Sequence, residues 1–203
     1  MSTIKSIETL REHYPTPKGR TLGKVLVALD IHCKRFIELS PFVVMSTCGA
    51  TGKTDASPRG GAPGFVSVLD DKSILIPDWP GNNRLDSLEN IVETSSIGLL
   101  FMIPGVDETL RINGGAELSV EDSLRQIAVE NYRAPKLVIK VDIEEVYLHC
   151  AKALMRSKLW KPESLIDRSE LPSMGEMIND QVGLNEPAES QDAMVARYEK
   201  VLY

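Results

Sequence analysis

The sequence predicts a mainly β, α+β fold: an antiparallel barrel of about six to seven strands with flanking helices. Three observations predict it. Short β-rich runs recur between residues 42 and 148, joined by links rich in glycine, proline and aspartate. The helical patterns between them are few and brief, unlike the regular strand–helix alternation of a parallel sheet. No internal repeat or low-complexity tract interrupts the order.

Each element follows from its spacing. Ile4, Ile7 and Leu10 share one side of a helix over 3–14, and a turn follows at 15–19. From Leu22, the residues Val25, Leu26, Leu29, Cys33, Phe36 and Ile37 recur at three- and four-residue steps, which predicts a single amphipathic helix. Pro41 ends it, because proline drives the residue before it out of the helical region. The period then becomes that of strand over 42–48, with a turn at 49–53 and strand again over 54–59. After a glycine-rich loop, 65–69 and 74–76 flank Asp70-Asp71-Lys72 as a hairpin. Residues 84–93 read as helix with Leu85, Leu88 and Ile91 inward. The unbroken apolar run 97–103 predicts a strand buried on both faces. Residues 109–118 are strand with Gly114-Gly115 at a bulge. Ser119 to Asp122 reads as a capped helix start, the helix reaching residue 131. A long strand over 137–148, a short helix over 149–159 and a terminal helix over 193–202 complete the chain.

The chain has 203 residues and a net charge of −6, with 42% hydrophobic and 26% charged residues. One domain over 1–162 is expected, followed by an acidic tail over 163–203 packing on or near the barrel. The tail holds nine acidic and three basic residues and so carries the whole excess charge. The remainder balances at twenty against twenty, leaving no broad basic field for nucleic acid or an anionic membrane. Three cysteines without paired spacing argue for a reducing compartment. The N-terminus lacks the apolar core of a signal peptide, and no run approaches ~20 apolar residues. A soluble, cytoplasmic protein is the expectation.

The chemistry concentrates in residues 54–84. Ser57 and Arg59 lie on one predicted strand, Ile76, Pro77 and Asp78 end another, and Asn82, Asn83 and Arg84 occupy the loop after it. An arginine forks onto phosphate oxygens with two parallel charge-assisted hydrogen bonds, so two arginines at neighbouring strand ends point to a phosphorylated ligand. A flavin phosphate is the reading this supports. Ser57 to Gly61 reads either as a strand end with a solvated arginine, or as Arg59 in a cleft with Gly60 and Gly61 admitting a flat ring. Arg84 at a helix start would add free amides and the dipole to an anion site. The same position fits Asn83 as a simple cap with Arg84 in water, and the two are compatible. Thr109 and Arg111 share one strand face, inward or outward.

Gly49 to Thr54 imitates the end of a phosphate-binding loop, but Asp55-Ala-Ser-Pro58 cannot supply the helix that must follow. His32-Cys33 and His149-Cys150 lack a second ligand pair at metal spacing, so core or interface packing is expected and no metal is assigned. Lys152, Arg156, Ser157, Lys158 and Trp160 form a basic-aromatic group that is either a solvated helix face or a second-subunit contribution to the pocket.

Together, FVVMSTCG, TDASPRGGAPGFV, SILIPDWPGNNRLDSLENI, IGLLFMIPGVDETLRINGGAEL and HCAKALMRSKLW resemble the flavin-binding split-barrel proteins related to pyridoxamine 5′-phosphate oxidase, over about residues 40–160. The resemblance implies a homodimeric split barrel with FMN, or a deazaflavin in its place, in clefts at the subunit interface. It implies that Ser57, Arg59 and Gly60 lie along the flavin, that Ile76, Pro77 and Asp78 meet the ring by backbone, and that Asn82, Asn83 and Arg84 hold the phosphate. Asn83-Arg84 stands where the family has a basic pair, so one positive charge must come from elsewhere, Arg59 or Arg111. Thr109, Arg111, Arg156 and Ser157 would reach a cleft from either protomer. The implied activity is that of an FMN-dependent oxidoreductase, with hydride transfer through flavin N5 on a small-molecule substrate. A binding, storage or sensing module for flavin or haem without turnover is the alternative, its haem form leaning on His149 or His32. The tryptophan and arginine pattern that ends the vitamin oxidase has no match in 163–203, so the substrate does not carry over.

Overall fold

The computed structural model describes residues 3–130, 132–200 and 202. Three helices precede the sheet: α1 (Ile7–His13), α2 (Arg20–Gly23) and α3 (Ile31–Leu39). The single helix predicted from Leu22 is therefore two, and the reason is local. Asp30 caps α3, its Oδ1 accepting the amides of His32 and Cys33 at 3.0 and 2.8 Å. The chain before it is extended, and Leu26 bridges to Val146 through a reciprocal backbone pair. Leu26 thus contributes an apolar side chain at helical spacing without being in a helix.

Seven strands follow: β1 (Phe42–Cys48), β2 (Thr54–Gly60), β3 (Ser67–Val68), β4 (Ser73–Asp78), β5 (Ser96–Met102), β6 (Thr109–Ser119) and β7 (Leu137–His149). They form one antiparallel sheet in the order β2-β1-β5-β6-β7-β4-β3. One core gathers Val43 and Met45, Ile74 and Ile76, Ile97, Leu99 and Phe101, Leu110 and Ile112, and Ile139 and Val141. A single sheet enclosing this main core is a barrel, here left open between its first and last strands, and a smaller cluster of Leu75, Ala128 and Val138 packs apart from it. Pro58 lies in the edge strand β2, where its missing N–H breaks no ladder on the free side.

β5 corrects the expectation of two buried faces. Ile97, Leu99 and Phe101 point into the core, whereas Leu100 and Met102 are half-exposed on the outer face. Cross-strand register aligns an outward row of Pro58, Val44, Leu100, Arg111 and Tyr147 over five strands. The predicted bulge sits between Asn113 and Gly114 of β6. A Cβ on Gly114 would stand 2.0 Å from the Asp142 carbonyl oxygen, so the bulge brings the two backbones closer than any side chain allows.

Three further helices flank the barrel: α4 (Asp86–Thr94), α5 (Asp122–Ile127) and α6 (Lys152–Ser157). α4 buries Ser87, Leu88, Asn90 and Ile91, and Asn90 Nδ2 donates to Thr47 Oγ1 at 3.0 Å. Gly49 leaves room for this docking, since a Cβ there would meet Asn90 Oδ1 at 2.6 Å. α5 starts after Glu121 without the predicted serine cap; Ser119 Oγ accepts the Glu121 amide instead, two residues ahead of the cap position. The predicted end of that helix, residue 131, lies outside the described residues. In the tail, α7 (Met174–Val182) carries a full capping box from Ser173 and Glu176, and α8 (Gln191–Glu199) begins at Ser190. No helix among the described residues is long and apolar enough to cross a membrane.

Candidate functional site

A cleft of about 510 Å³ opens where the free strand β2 faces the end of β4, the start of β7 and the N-terminus of α4. Strand alternation explains its first wall. Asp55, Ser57 and Arg59 take the sheltered face of β2 while Thr54, Ala56, Pro58 and Gly60 turn out. Register explains the second: Asp78 pairs with Leu137, and the Lys136 amide donates to the Asp78 carbonyl at 3.0 Å. That places Lys136 at the rim without any pattern in its own neighbourhood. The third wall is the loop from Trp79 to Leu85 and the first turn of α4.

Arg59 is fixed on two sides. Its Nη1 donates to Ser57 Oγ at 2.5 Å and to the Pro58 carbonyl at 2.9 Å, and its Nη2 faces Asp78 Oδ1 at 3.7 Å. Both side chains of that ion pair are sheltered, at 21% and 17% exposure. Desolvation pushes the Asp78 carboxyl above the usual carboxylate range, with Arg59 and then Lys136 opposing it. Arg84 is the contrasting case, 76% exposed, with Nε on Asp86 Oδ2 at 2.6 Å. That hydrogen bond, then one from Lys53 at 3.2 Å, holds the Asp86 carboxyl below the usual range. Asp55 accepts a short hydrogen bond from Ser87 Oγ, which ties β2 to α4.

Eight predicted site residues line this cleft together: Ser57, Arg59, Gly60, Pro77, Asp78, Asn82, Asn83 and Arg84. Arg84 does not begin the helix as expected; α4 starts at Asp86 after Leu85, which gives no side-chain cap. Asn82 Oδ1 accepts the Arg84 amide at 2.9 Å, and Asn83 takes a left-handed turn at φ 59°, which asparagine tolerates. Neither asparagine is the cap. The glycines meet the chain's own atoms in different ways. A Cβ on Gly61 would meet Phe65 Cβ at 2.8 Å, so that glycine makes room for Phe65, whereas one on Gly60 would reach the Pro41 carbonyl only at the 3.4 Å of ordinary contact.

Five predicted residues are not in this lining. Ile76 is fully buried in the core. Thr109 and Arg111 lie on β6, the Arg111 guanidinium stacking over Tyr147 at 5.2 Å, with Lys24 over the same ring at 5.1 Å. Arg156 and Ser157 are exposed on α6, where Ser157 Oγ donates to the Leu154 carbonyl. His32, His149 and Cys150 are exposed rather than packed in the core, whereas Cys33 is buried and its thiol is pushed up to about 11 by desolvation. Among the described residues no group of three histidine, cysteine or acidic side chains converges for a metal.

Sequence reasoning missed Lys136, Asp55, Phe65 and Trp79 as lining residues. Asp55 was open to discovery from the period of its strand, being in phase with Ser57 and Arg59. Lys136 carried no local signal.

The residues fit a phosphorylated flat ligand in volume and donor chemistry. The volume lies within the ~300–1,000 Å³ of small-molecule sites. Arg59, Arg84 and Lys136 supply cations, and Phe65 and Trp79 supply aromatic surface.

Several solved structures resemble the chain, one of them closely enough to share its fold. HupZ from Group A Streptococcus matches at a TM-score of 0.50 and 18% identity, over 61% of this chain and 100% of that one. A Lactobacillus delbrueckii protein provisionally named a pyridoxamine 5′-phosphate oxidase matches at 0.47 and 21%, over 60% and 95%. An FMN-binding protein from Syntrophomonas wolfei matches at 0.43 and 12%, over 71% and 97%. No curated protein sequence matches the chain. A family model described as pyridoxamine 5′-phosphate oxidase matches residues 29–150, a span that contains every strand from β1 to β7 and the whole lining of the cleft. The chain, a split barrel by its sheet, belongs to the pyridoxamine 5′-phosphate oxidase family.

Proposed function

We propose that the protein is an FMN-dependent oxidoreductase that acts as a homodimer on a small-molecule substrate. One observation carries the reading: Arg59, Arg84 and Lys136 face a single cleft beside Trp79 and the strand-end backbone at Pro77–Asp78. FMN bound there supplies two-electron chemistry at its ring. The chain's part is to hold and orient. Arg59, braced by Ser57, would turn its guanidinium from Asp78 to an anion. The walls from β2 and α4 shelter a bound ring from water. A deazaflavin of the same phosphate chemistry is the competing cofactor, and spectra distinguish the two.

The dimer is proposed to form through the outward row of Val44 and Leu100 with Phe42 and Met102 beside it. These half-exposed apolar side chains are contiguous over β1 and β5. Arg111 belongs to that row, which suits a contribution to the partner's cleft, whereas Thr109 is buried in its own chain. The tail over 163–203 is proposed to lie near the barrel, since Trp160 Nε1 donates to the Val106 carbonyl just ahead of it.

The test is spectroscopic. Purified protein, alone or after adding FMN, should show the oxidised-flavin absorbance bands and comigrate with the cofactor. A colourless protein that leaves FMN fluorescence unchanged overturns the cofactor assignment. Sedimentation should give twice the chain mass, falling to one chain mass in Leu100→Glu. A monomeric wild type refutes the dimer and leaves the cleft to be judged alone.

A further inference from the structure

Three cations, Arg59, Arg84 and Lys136, and three carboxylates, Asp55, Asp78 and Asp86, line the cleft. An entering anion therefore meets arginines that already have counterions. The three carboxylates are held differently. Asp55 accepts from Ser87, and Asp86 accepts from Arg84 and Lys53. Asp78 has only the 3.7 Å approach of Arg59, which is beyond hydrogen-bond reach, and this among the described residues is its one ion pair.

We propose that Asp78 is an internal counter-anion of Arg59, and that a phosphate-type dianion displaces it with uptake of one proton by the Asp78 carboxyl. The inference rests on reading the cleft as a phosphate site and is independent of flavin chemistry.

The groups facing Asp78 decide the direction. Arg59 approaches from β2 and Lys136 from the start of β7, while Arg84 and Asp86 pair with each other and Asp55 is occupied by Ser87. When Arg59 turns to a dianion, Asp78 loses its nearest cation and gains two negative charges beside it. Like charges that share a sheltered site do not both stay ionised; one takes a proton. Burial already biases this carboxyl toward the neutral form. The proton comes from solvent, and no bond other than O–H is made.

Calorimetric titration of the full chain tests this, using sulfate as the probe because it stays a dianion across the working range. Runs in two buffers of different protonation enthalpy, from pH 5.5 to 7.5 at low ionic strength, read proton uptake directly. Wild type should take up about one proton per sulfate, its affinity falling about tenfold per pH unit where free Asp78 is charged and bound Asp78 is neutral. Asp78→Asn should bind sulfate without uptake, independent of pH, and more tightly than wild type at the upper end. No sulfate binding, no uptake by wild type, or equal uptake by the variant overturns the proposal. Should the variant not fold, infrared difference spectra of wild type decide: a protonated-carboxyl band must appear with sulfate, and its absence refutes. FMN titrated in the same buffers separates the two readings. FMN binding without uptake sinks this inference alone, whereas sulfate-linked uptake with no FMN binding sinks the flavin assignment alone.

Discussion

Arg59 and Arg84 stand in the same cleft but should not contribute equally to holding FMN. Arg59 is 21% exposed and has spent Nη1 on Ser57 and Pro58, while Nη2 faces Asp78 only at 3.7 Å, beyond hydrogen-bond reach, and can turn to the ligand. One charge-assisted hydrogen bond in a sheltered site contributes about 1.5–3 kcal/mol. Arg59→Ala should therefore weaken FMN by about 10- to 150-fold. Arg84 is 76% exposed and already bonded to Asp86. Exposed ion pairs contribute little and are screened within about 8 Å at physiological salt. Arg84→Ala should cost only a few-fold in low salt and almost nothing at physiological ionic strength. Quenching of FMN fluorescence, titrated for wild type and both variants at two salt concentrations, measures the contrast. Equal losses, or a larger and salt-resistant loss at Arg84, would refute the argument that shelter decides the contribution. Arg59→Lys adds a control: it keeps the charge but cannot brace on Ser57 while forking onto a phosphate, so it should recover only part of the loss.

Four further outcomes follow from the packing and the titrating groups. Phe101→Ala should cost about 3–5 kcal/mol in urea unfolding, because its ring is wholly buried in the main core. Gly114→Ala should destabilise by ~3 kcal/mol or more, since its Cβ would overlap the Asp142 backbone and no flexible side chain can yield. Asp78 holds its proton to higher pH in the folded chain than in the unfolded one, so stability should fall as pH rises above 3.8 until the folded carboxyl ionises. Asp78→Asn should remove that decline, as read by unfolding midpoints across pH 4–7. Mass-spectrometric mapping of alkylation at pH 8 should find Cys150, which is exposed, modified first and Cys33, raised to about 11, last.

Where apolar residues and glycines dictate backbone, the fold was readable in the chain. β1 and β2 appear almost to the residue, and the bulge fell at the predicted glycine pair. Periodicity misled where side chains at helical spacing came from two different structures. Leu26 joins the core through a bridge to Val146, 120 residues on, which no local window contains. The apolar run of β5 concealed its outer face because a half-exposed Leu100 reads like a buried one. Eight cleft residues were legible because β2, β4 and the following loop are near in sequence. Lys136 was not, because only the β4–β7 register brings it beside Asp78. Nor could spacing show that each arginine has a carboxylate of its own.

The sheet ends in two strands, β2 and β3, that do not pair with each other. Across that seam Arg59 of β2 reaches Asp78 of β4, side chain to side chain, while Ser87 ties Asp55 of β2 to α4. Exchanging Asp78 for a ligand as the partner of Arg59 breaks no backbone ladder. A contact of that kind is undone by side-chain rotation, which is faster than any opening of a cooperative core.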